Sequence, residues 1–370
     1  MRKDTSRNKQ QIRSKKERET REGFEFYIGI DLGDKNSDVC VLDQSGEVSK
    51  EFRLRMKEAD FRTYFASIPR SRVAIEAGGQ SRWVAEVVEK CGHEVYVSNT
   101  RKVPYIHQSD DKDDPGDACK LAELLYFKPR LLHPVQHRSR EAQVDLSWIR
   151  AREVLVKSRT QLINAVRGIS KAFAERLEKC AAESVTAKLA GQVPEVIRGA
   201  VAPLLETIDH LNEQIRYYDE MEEHIARERY PKYRLLEQVS GVGVHTALSF
   251  MLTIGDPERF QKSRMVGSFL GMRPKKQESG ESKPQLGITK AGDLYLRKTL
   301  VNCAHHILGP NRKDSDLRRF GQRICARGGK NAKKRAVIAV ARKLAVLLHR
   351  LWITGEVYEP LRNSKQSKAA

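Results

Sequence analysis

The chain has 370 residues, 39% hydrophobic and 31% charged, and its 68 Lys and Arg against 48 Asp and Glu give a net charge of +20. That length predicts more than one domain, and with a mean hydropathy of −0.58 no stretch approaches the roughly 20 apolar residues of a membrane span. The excess of base points to a polyanionic partner, because Lys and Arg that neutralise phosphates release counterions.

Residues 1–23 are strongly charged and contain no apolar segment. They predict a disordered basic arm, not a secretory signal. From residue 24 strand and helix signals alternate. The candidate strands are EFYIGID (25–31), SDVCVLD (37–43), EVSKEFRL (47–54), RVAIE (72–76) and EVYVS (94–98), with helical patterns around 57–67 and 80–91. Short turns between the first three strands predict an antiparallel meander. Such a meander followed by alternating helices and strands is the order of an RNase H-like (RuvC-like) α/β domain, here 24–135.

Residues 136–232 carry no strand signal. Trp148, Leu155, Leu162 and Ile169 recur every seven residues, with Val166 and Phe173 on the same stripe. A second stripe, Leu204, Ile208, Leu211, Ile215, Tyr218 and Ile225, alternates steps of four and three, as a coiled-coil seam does. A long antiparallel helical pair, free to dimerise, is expected; a hairpin buried within one monomer fits the same heptads. Residues 233–360 read as a mostly helical C-terminal domain. LLEQVSGVGVHTALSFMLTIG (235–255) has the form of a helix-hairpin-helix, whose glycines let backbone amides approach a phosphate. A polar, Gly-rich stretch (260–300) and a basic helix (326–352) follow, and 361–370 read as a flexible tail. The six cysteines, Cys40, Cys91, Cys119, Cys180, Cys303 and Cys325, form no CxxC pair and are expected to be reduced packing residues of a cytosolic protein.

The chemistry concentrates in four acids. Asp31 ends one apolar strand and Glu76 ends another, while Asp114 and Asp117 in DPGDACKLAEL lie three apart at the start of a helix, on one helical face. Four converging carboxylates would hold one or two Mg²⁺ (or Mn²⁺) ions, hard cations that prefer oxygen. Asp114 and Asp117 also suit an N-cap and a first-turn acid around Pro115. IGIDLGDKNS looks equally like the first phosphate loop of an actin-like ATPase, but neither a second phosphate loop nor an adenosine loop is found.

The residues YIGID, AIEAGG, KDDPGDACKLAEL, GVGVHTAL, FLGMRPKKQESGE and GITKAGDLYLRKTLVNCA, in that order, resemble the DEDD-type bacterial insertion-sequence transposases of family one-ten along nearly the whole chain. The resemblance implies a RuvC-like domain, a coiled coil and a C-terminal transposase domain. It implies that Asp31, Glu76, Asp114 and Asp117 are the metal-binding acids; the Asp-x-x-Asp-Ala spacing favours Asp114 over Asp113. It implies that Ser279, in a stretch that otherwise reads as a polar turn, is a nucleophile that becomes covalently joined to DNA. It further implies donor and target DNA, a structured guide (bridge) RNA, a homo-oligomer passing from dimer to tetramer, and a cytoplasmic, nucleoid-associated location in a bacterium. Arg273, Lys275, Lys276, Lys283, Lys290 and Arg297 surround the serine in sequence and are expected to contact phosphate. A metal-dependent, junction-resolving endonuclease that uses water is the alternative on the same fold.

Overall fold

The computed structural model describes residues 23–99, 103, 114–277, 279, 282, 284 and 286–363, excepting the side chains of 114 and 115. The expected basic arm, most of the expected tail, the side chain of Asp114 and the whole of Lys283 lie outside the described residues. The chain divides into two compact units, Met1–His137 and Arg138–Ala370.

The first unit runs β1 (Tyr27–Asp31), β2 (Asn36–Leu42), β3 (Val48–Arg55), α1 (Glu58–Ser67), β4 (Arg72–Glu76), α2 (Ser81–Lys90), β5 (Glu94–Ser98) and α3 (Asp114–Phe127). These form one mixed sheet in the order β3-β2-β1-β4-β5. The β1–β2 and β2–β3 pairs are antiparallel, and the β1–β4 and β4–β5 pairs are parallel. This is the meander followed by crossovers that the turn signals predict, and it is compatible with an RNase H-like transposase domain.

Alternation along the strands separates the two faces. Ile28, Ile30, Val39, Val41, Val73 and Ile75 pack under Phe61 and Phe65 of α1 and Val84 and Val88 of α2. Tyr27, Cys40, Leu42 and Ala74 pack under Ala118, Leu121 and Leu125 of α3. Gly29 lies on this second face, and there the helix presses closest. A Cβ on Gly29 would stand 2.0 Å from the carbonyl oxygen of Ala118 and 2.5 Å from the amide nitrogen of Ala122. The glycine of YIGID therefore makes room for α3.

The same approach corrects the expectation of six reduced cysteines. Cys40 pairs across the ladder with Gly29, and Cys119 follows Ala118, so crossing α3 over this point brings their Cα atoms to 5.1 Å and joins the sulfurs as a disulfide. Cys91, Cys180, Cys303 and Cys325 remain free.

The second unit is helical: α4 (Arg140–Ala172), α5 (Val185–Leu189), α6 (Glu195–Arg229), α7 (Tyr233–Glu237), α8 (Val244–Ile254), α9 (Arg264–Phe269), α10 (Leu294–Leu308), α11 (Asp316–Ala326) and α12 (Ala332–Thr354). The long helices α4 and α6 pack antiparallel, as three contacts along them show: Asp145 with Arg229 (2.6 Å), Arg152 with Asp219 (2.6 Å) and Arg159 with Asn212 (2.7 Å). Their seam shares Val166 with the predicted stripe and departs from it at Ile169 and Phe173. On α4 it follows Leu146, Ile149, Arg159, Ile163, Val166 and Ser170, whereas Ile169 and Phe173 are 37% and 48% exposed. Polar residues that pair across the helices occupy seam positions, so an apolar-only stripe lands one residue away. Ile208, Ile215 and Ile225 of α6 are buried as predicted. At their distal end the helices close over Leu177, Val185, Leu189 and Val193. At their base, Leu146, Ile149, Ile225 and Ala226 enter the core formed by α7 to α12.

Gly29→Ala is expected to destabilise the first unit by about 1–3 kcal/mol or more, since both obstructing atoms are backbone. Hydrogen exchange should quicken across β1 and α3 in Gly29→Ala. It should stay unchanged in Gly78→Ala, whose added Cβ meets nothing within 4 Å.

Candidate functional site

Two constellations stand out, one in each unit. In the first, Asp31 and Glu76 are the last residues of β1 and β4, neighbouring parallel strands paired through Ile30 and Ile75. They therefore share one sheet edge. Each lies two residues beyond a position on the α3 face, Gly29 and Ala74 respectively, so alternation turns both toward α3. Asp117 precedes Ala118, whose carbonyl oxygen abuts Gly29, and this seats the first turn of α3 over the same corner. Asp31, Glu76 and Asp117 are each half-buried, and Asp117 accepts from Lys120 Nζ at 2.9 Å. The side chain of Gln80 closes the turn after Asp31 by donating to Gly33 O at 3.1 Å.

The donor set at this corner is made of carboxylate oxygens, which suits a hard divalent cation. Among the described residues, the ligand atoms of Asp31, Glu76 and Asp117 do not all lie within 4.8 Å of one another; those of Cys40, Glu51 and Cys119 do. The sulfur bridge takes both thiolates out of that set, leaving Glu51 as its carboxylate. An actin-like arrangement would require a second sheet domain. Among the described residues, the second unit contains helices and isolated bridges only.

The second constellation carries Ser279. Between α9 and α10 the chain leaves the core at Gly271 and returns at Gly292. Antiparallel bonds join the two arms: Lys290 N to Gly271 O (2.9 Å), Thr289 N to Arg273 O (2.9 Å) and Lys275 N to Gly287 O (2.8 Å). Further out, Ser279 and Ser282 exchange backbone bonds of 3.4 and 3.0 Å, the pattern of a directly opposed antiparallel pair. Ser279 is exposed there, and Arg273, Lys275, Lys276 and Lys290 are exposed along the arms.

The base of this excursion is tightly shut. Gly271 and Gly292 have φ of +68° and +79°. A Cβ on the first would meet Ala291 O at 2.0 Å, and on the second Phe269 O at 2.1 Å. Both positions are closed to other residues by conformation and by space. Arg297 does not reach outward as the sequence suggests. It is 7% exposed, and its Nη1 donates to Leu270 O (3.0 Å) and Ala291 O (2.9 Å), one carbonyl at each end of the excursion. Burial lowers its pKa, partly offset by Asp293.

Beside this base lies a chain of polar groups that the sequence reading passed over. Glu222 of α6, 1% exposed, holds His245 Nδ1 of α8 at 2.6 Å, and His245 Nε2 lies 2.6 Å from the Tyr295 hydroxyl of α10. Burial, followed by the Glu222 charge, pushes the Tyr295 phenol up to about 12. Arg150 of α4 stacks on the Tyr295 ring at 5.0 Å and pairs with Asp293. Asp293 caps α10 by accepting from Leu296 N at 2.7 Å. A sequence signal existed: Glu222 occupies the rung missing between Tyr218 and Ile225, and a carboxylate on a seam needs a partner. His245 and Tyr295 lie within GVGVHTAL and GDLYL.

Comparison with known proteins agrees across both units. Residues 28–172 match a family model described as a transposase of the DEDD, IS110 type, and residues 233–322 match one described as the transposase IS116/IS110/IS902 family. Together these cover well over half of the chain. The transposase for insertion sequence element IS1111A of Coxiella burnetii is 28% identical over 340 residues, 90% of each chain. The transposase for IS1328 of Yersinia enterocolitica is 26% identical over 282 residues, 75% of this chain and 82% of that one. A pilin gene-inverting protein of Moraxella lacunata is 29% identical over 114 residues, 30% of this chain and 34% of its own.

Arg297→Ala removes two charge-assisted bonds, each worth about 1.5–3 kcal/mol, from the base of the Ser279 excursion. The Thr289 and Lys290 amides are expected to lose exchange protection while α12 amides keep theirs. Equal protection in both proteins would show that the glycines alone close the base.

Proposed function

The chain belongs to the IS110 family of insertion-sequence transposases, and from that premise we propose that it cuts and rejoins DNA through a covalent bond to Ser279. The family implies a divalent-metal-dependent, nuclease-like site. In this reading the Ser279 Oγ attacks a backbone phosphorus. The Oγ–P bond forms as the P–O bond to the departing strand breaks, the serine proton is lost to a base, and the departing oxygen gains one. The resulting serine phosphodiester conserves the energy of the broken bond, so a strand can be resealed without nucleotide hydrolysis.

The observation that carries this reading is an exposed Ser279 on an excursion with a rigid base. The base admits only glycine at 271 and 292, Arg297 straps it, and Arg273, Lys275, Lys276 and Lys290 line its arms. A nucleophile used on a polymeric substrate must protrude to reach the backbone, yet its anchor must be fixed to keep attack geometry narrow. The flanking cations suit phosphate contacts, which position the strand without reading sequence, and Lys283 joins them in the proposal. Arg297 acts there as a strap.

Asp31, Glu76 and Asp117, with Asp114, would hold Mg²⁺ or Mn²⁺ at the corner of the first unit. A cation so held supplies neutralisation of phosphate charge and polarisation of a phosphate oxygen. The acids themselves fix where that charge is received, because Asp31 and Glu76 are set by the β1–β4 register. Donor and target DNA are the substrates in this reading, with a structured guide RNA and an oligomer growing from dimer to tetramer. The net charge of +20 supports two polyanions held together.

The acidic corner also supports a second reading, an RNase H-like endonuclease that hydrolyses junctions with water. Covalent trapping separates the two. Full-length protein with its RNA, Mg²⁺ and labelled element-junction DNA is denatured and run on a gel. A protein–DNA adduct is expected for wild type, with complete loss in Ser279→Ala and loss of at least about a hundredfold in Asp31→Asn. Cleavage without an adduct that survives Ser279→Ala but not Asp31→Asn would establish the endonuclease instead.

A further inference from the structure

The first turn of α10 is a junction of four helices and one excursion. Asp293, its N-cap, pairs with Arg150 of α4. Tyr295 reaches through His245 of α8 to Glu222 of α6. Arg297 holds both ends of the Ser279 excursion. Within five residues, therefore, two side chains, Asp293 and Tyr295, link the start of α10 to both long helices, and a third, Arg297, holds the serine excursion.

We propose that Glu222, His245 and Tyr295 are positioning residues for Ser279: they transmit the placement of the α4–α6 helical pair to the base of the serine excursion. The inference rests on the serine reading above and assigns it a mechanical support. Three observations argue for it over simple core filling. Replacing both members of a buried polar or ionic pair by apolar residues of similar volume is often neutral or stabilising, so the Glu222–His245 pair needs a reason beyond stability. Its partnership is also strongly one-sided. Oε2 binds His245, while Oε1 has no hydrogen-bond partner among the described residues, so the carboxylate is held at one oxygen and aimed along one line. That line crosses three helices and ends on Tyr295, three residues after Gly292.

The chain can be fully hydrogen-bonded in either protonation state of His245. With a neutral ring, Nδ1–H donates to Glu222 and Nε2 accepts from the Tyr295 hydroxyl. With a charged ring, both nitrogens donate and the phenol oxygen accepts. Both 2.6 Å contacts have a donor and an acceptor in either state, so the link between α6 and α10 does not depend on which obtains. The charged groups facing it are Arg150 over the Tyr295 ring, Arg152 with Asp219, and Glu153 with Arg150 and Lys157. Arg152 and Glu153 act on the phenol in opposite senses.

The test uses the full-length protein with RNA, Mg²⁺ and junction DNA. Tyr295→Phe keeps the ring under Arg150 and deletes only the hydroxyl; Glu222→Gln keeps shape and removes the charge. Each is expected to slow single-turnover adduct formation by about ten- to a hundredfold, the loss that a misplacement on the order of 1 Å causes, with DNA affinity within about twofold of wild type. Thr289 and Lys290 amides should exchange faster in both. Asn212→Leu breaks a buried polar pair of the same helices with no route to α10, and should leave the adduct rate within about twofold of wild type. Wild-type adduct rates and wild-type protection in Tyr295→Phe and Glu222→Gln would overturn the proposal. So would rate losses matched by equal losses of DNA affinity. If wild type forms no adduct, the serine reading fails separately, and amide protection alone then decides whether this chain supports the excursion.

Discussion

A helix laid against a strand with no space for a single carbon is the constraint on which the first unit rests. At Gly29 the backbone of α3 stands where a side chain would be. Three consequences follow from that one approach. The first turn of α3 comes down over the ends of β1 and β4, where Asp31 and Glu76 emerge. Cys119 falls onto Cys40, which faces Gly29 across the ladder. The α3 face of the sheet can close with residues as small as Ala74, Ala118 and Ala122. A methyl group at position 29 would lift the helix, and the acids at its start would move with it. Pairing geometry thus sets the acidic corner before any electrostatic term enters.

The second unit solves a different problem. A residue that meets a long polymer must project from the surface, and projection works against precision. Here the projecting segment leaves and re-enters the core through two glycines in contact with backbone, and a buried guanidinium ties the flanking carbonyls. The energy of that tie lies in desolvated, charge-assisted bonds, so it acts at the base, where a small rotation would be magnified at Ser279. The arms above it are exposed and basic. Rigidity and reach are thereby assigned to different residues of the same twenty-odd-residue stretch.

The sheet was legible because its signals are local. Alternation, short turns and charged strand ends gave all five strands within a few residues and located Asp31 and Glu76 at strand termini. The exposure of Ser279 was also legible, since a polar, Gly-rich stretch cannot be core. Long-range closeness was not. Nothing in the spacing of Cys40 and Cys119 announces that α3 crosses β2 there, and each alone fits an ordinary packing residue. A basic residue in a basic stretch is usually solvated, and Arg297 departs from that rule. Only the three-dimensional meeting of Leu270 and Ala291 shows it turned inward, as a strap for two carbonyls.

The helical pair shows most plainly where a pattern argument runs out. A heptad reading seeks apolar residues, and on α4 it meets the true seam at Val166 but falls one position short of Ile149, Ile163 and Ser170, because that seam includes Asp145 and Arg159. Buried polar groups must find partners. Asp145 finds Arg229 and Tyr230, and Arg159 finds Asn212 and Glu183, all within the pair and the loop that closes it. Such pairs fix register, as a polar residue at a coiled-coil core position does. Glu222 breaks the repeat in the same way, but its hydrogen-bond partner does not come from α4. Its partner is His245, on a different helix of the core, and beyond it Tyr295. A polar residue satisfied inside a helical pair specifies how that pair fits together. One satisfied outside it specifies where the pair sits on the rest of the fold, and that makes Glu222 the rung through which the long helices can act on the serine's support.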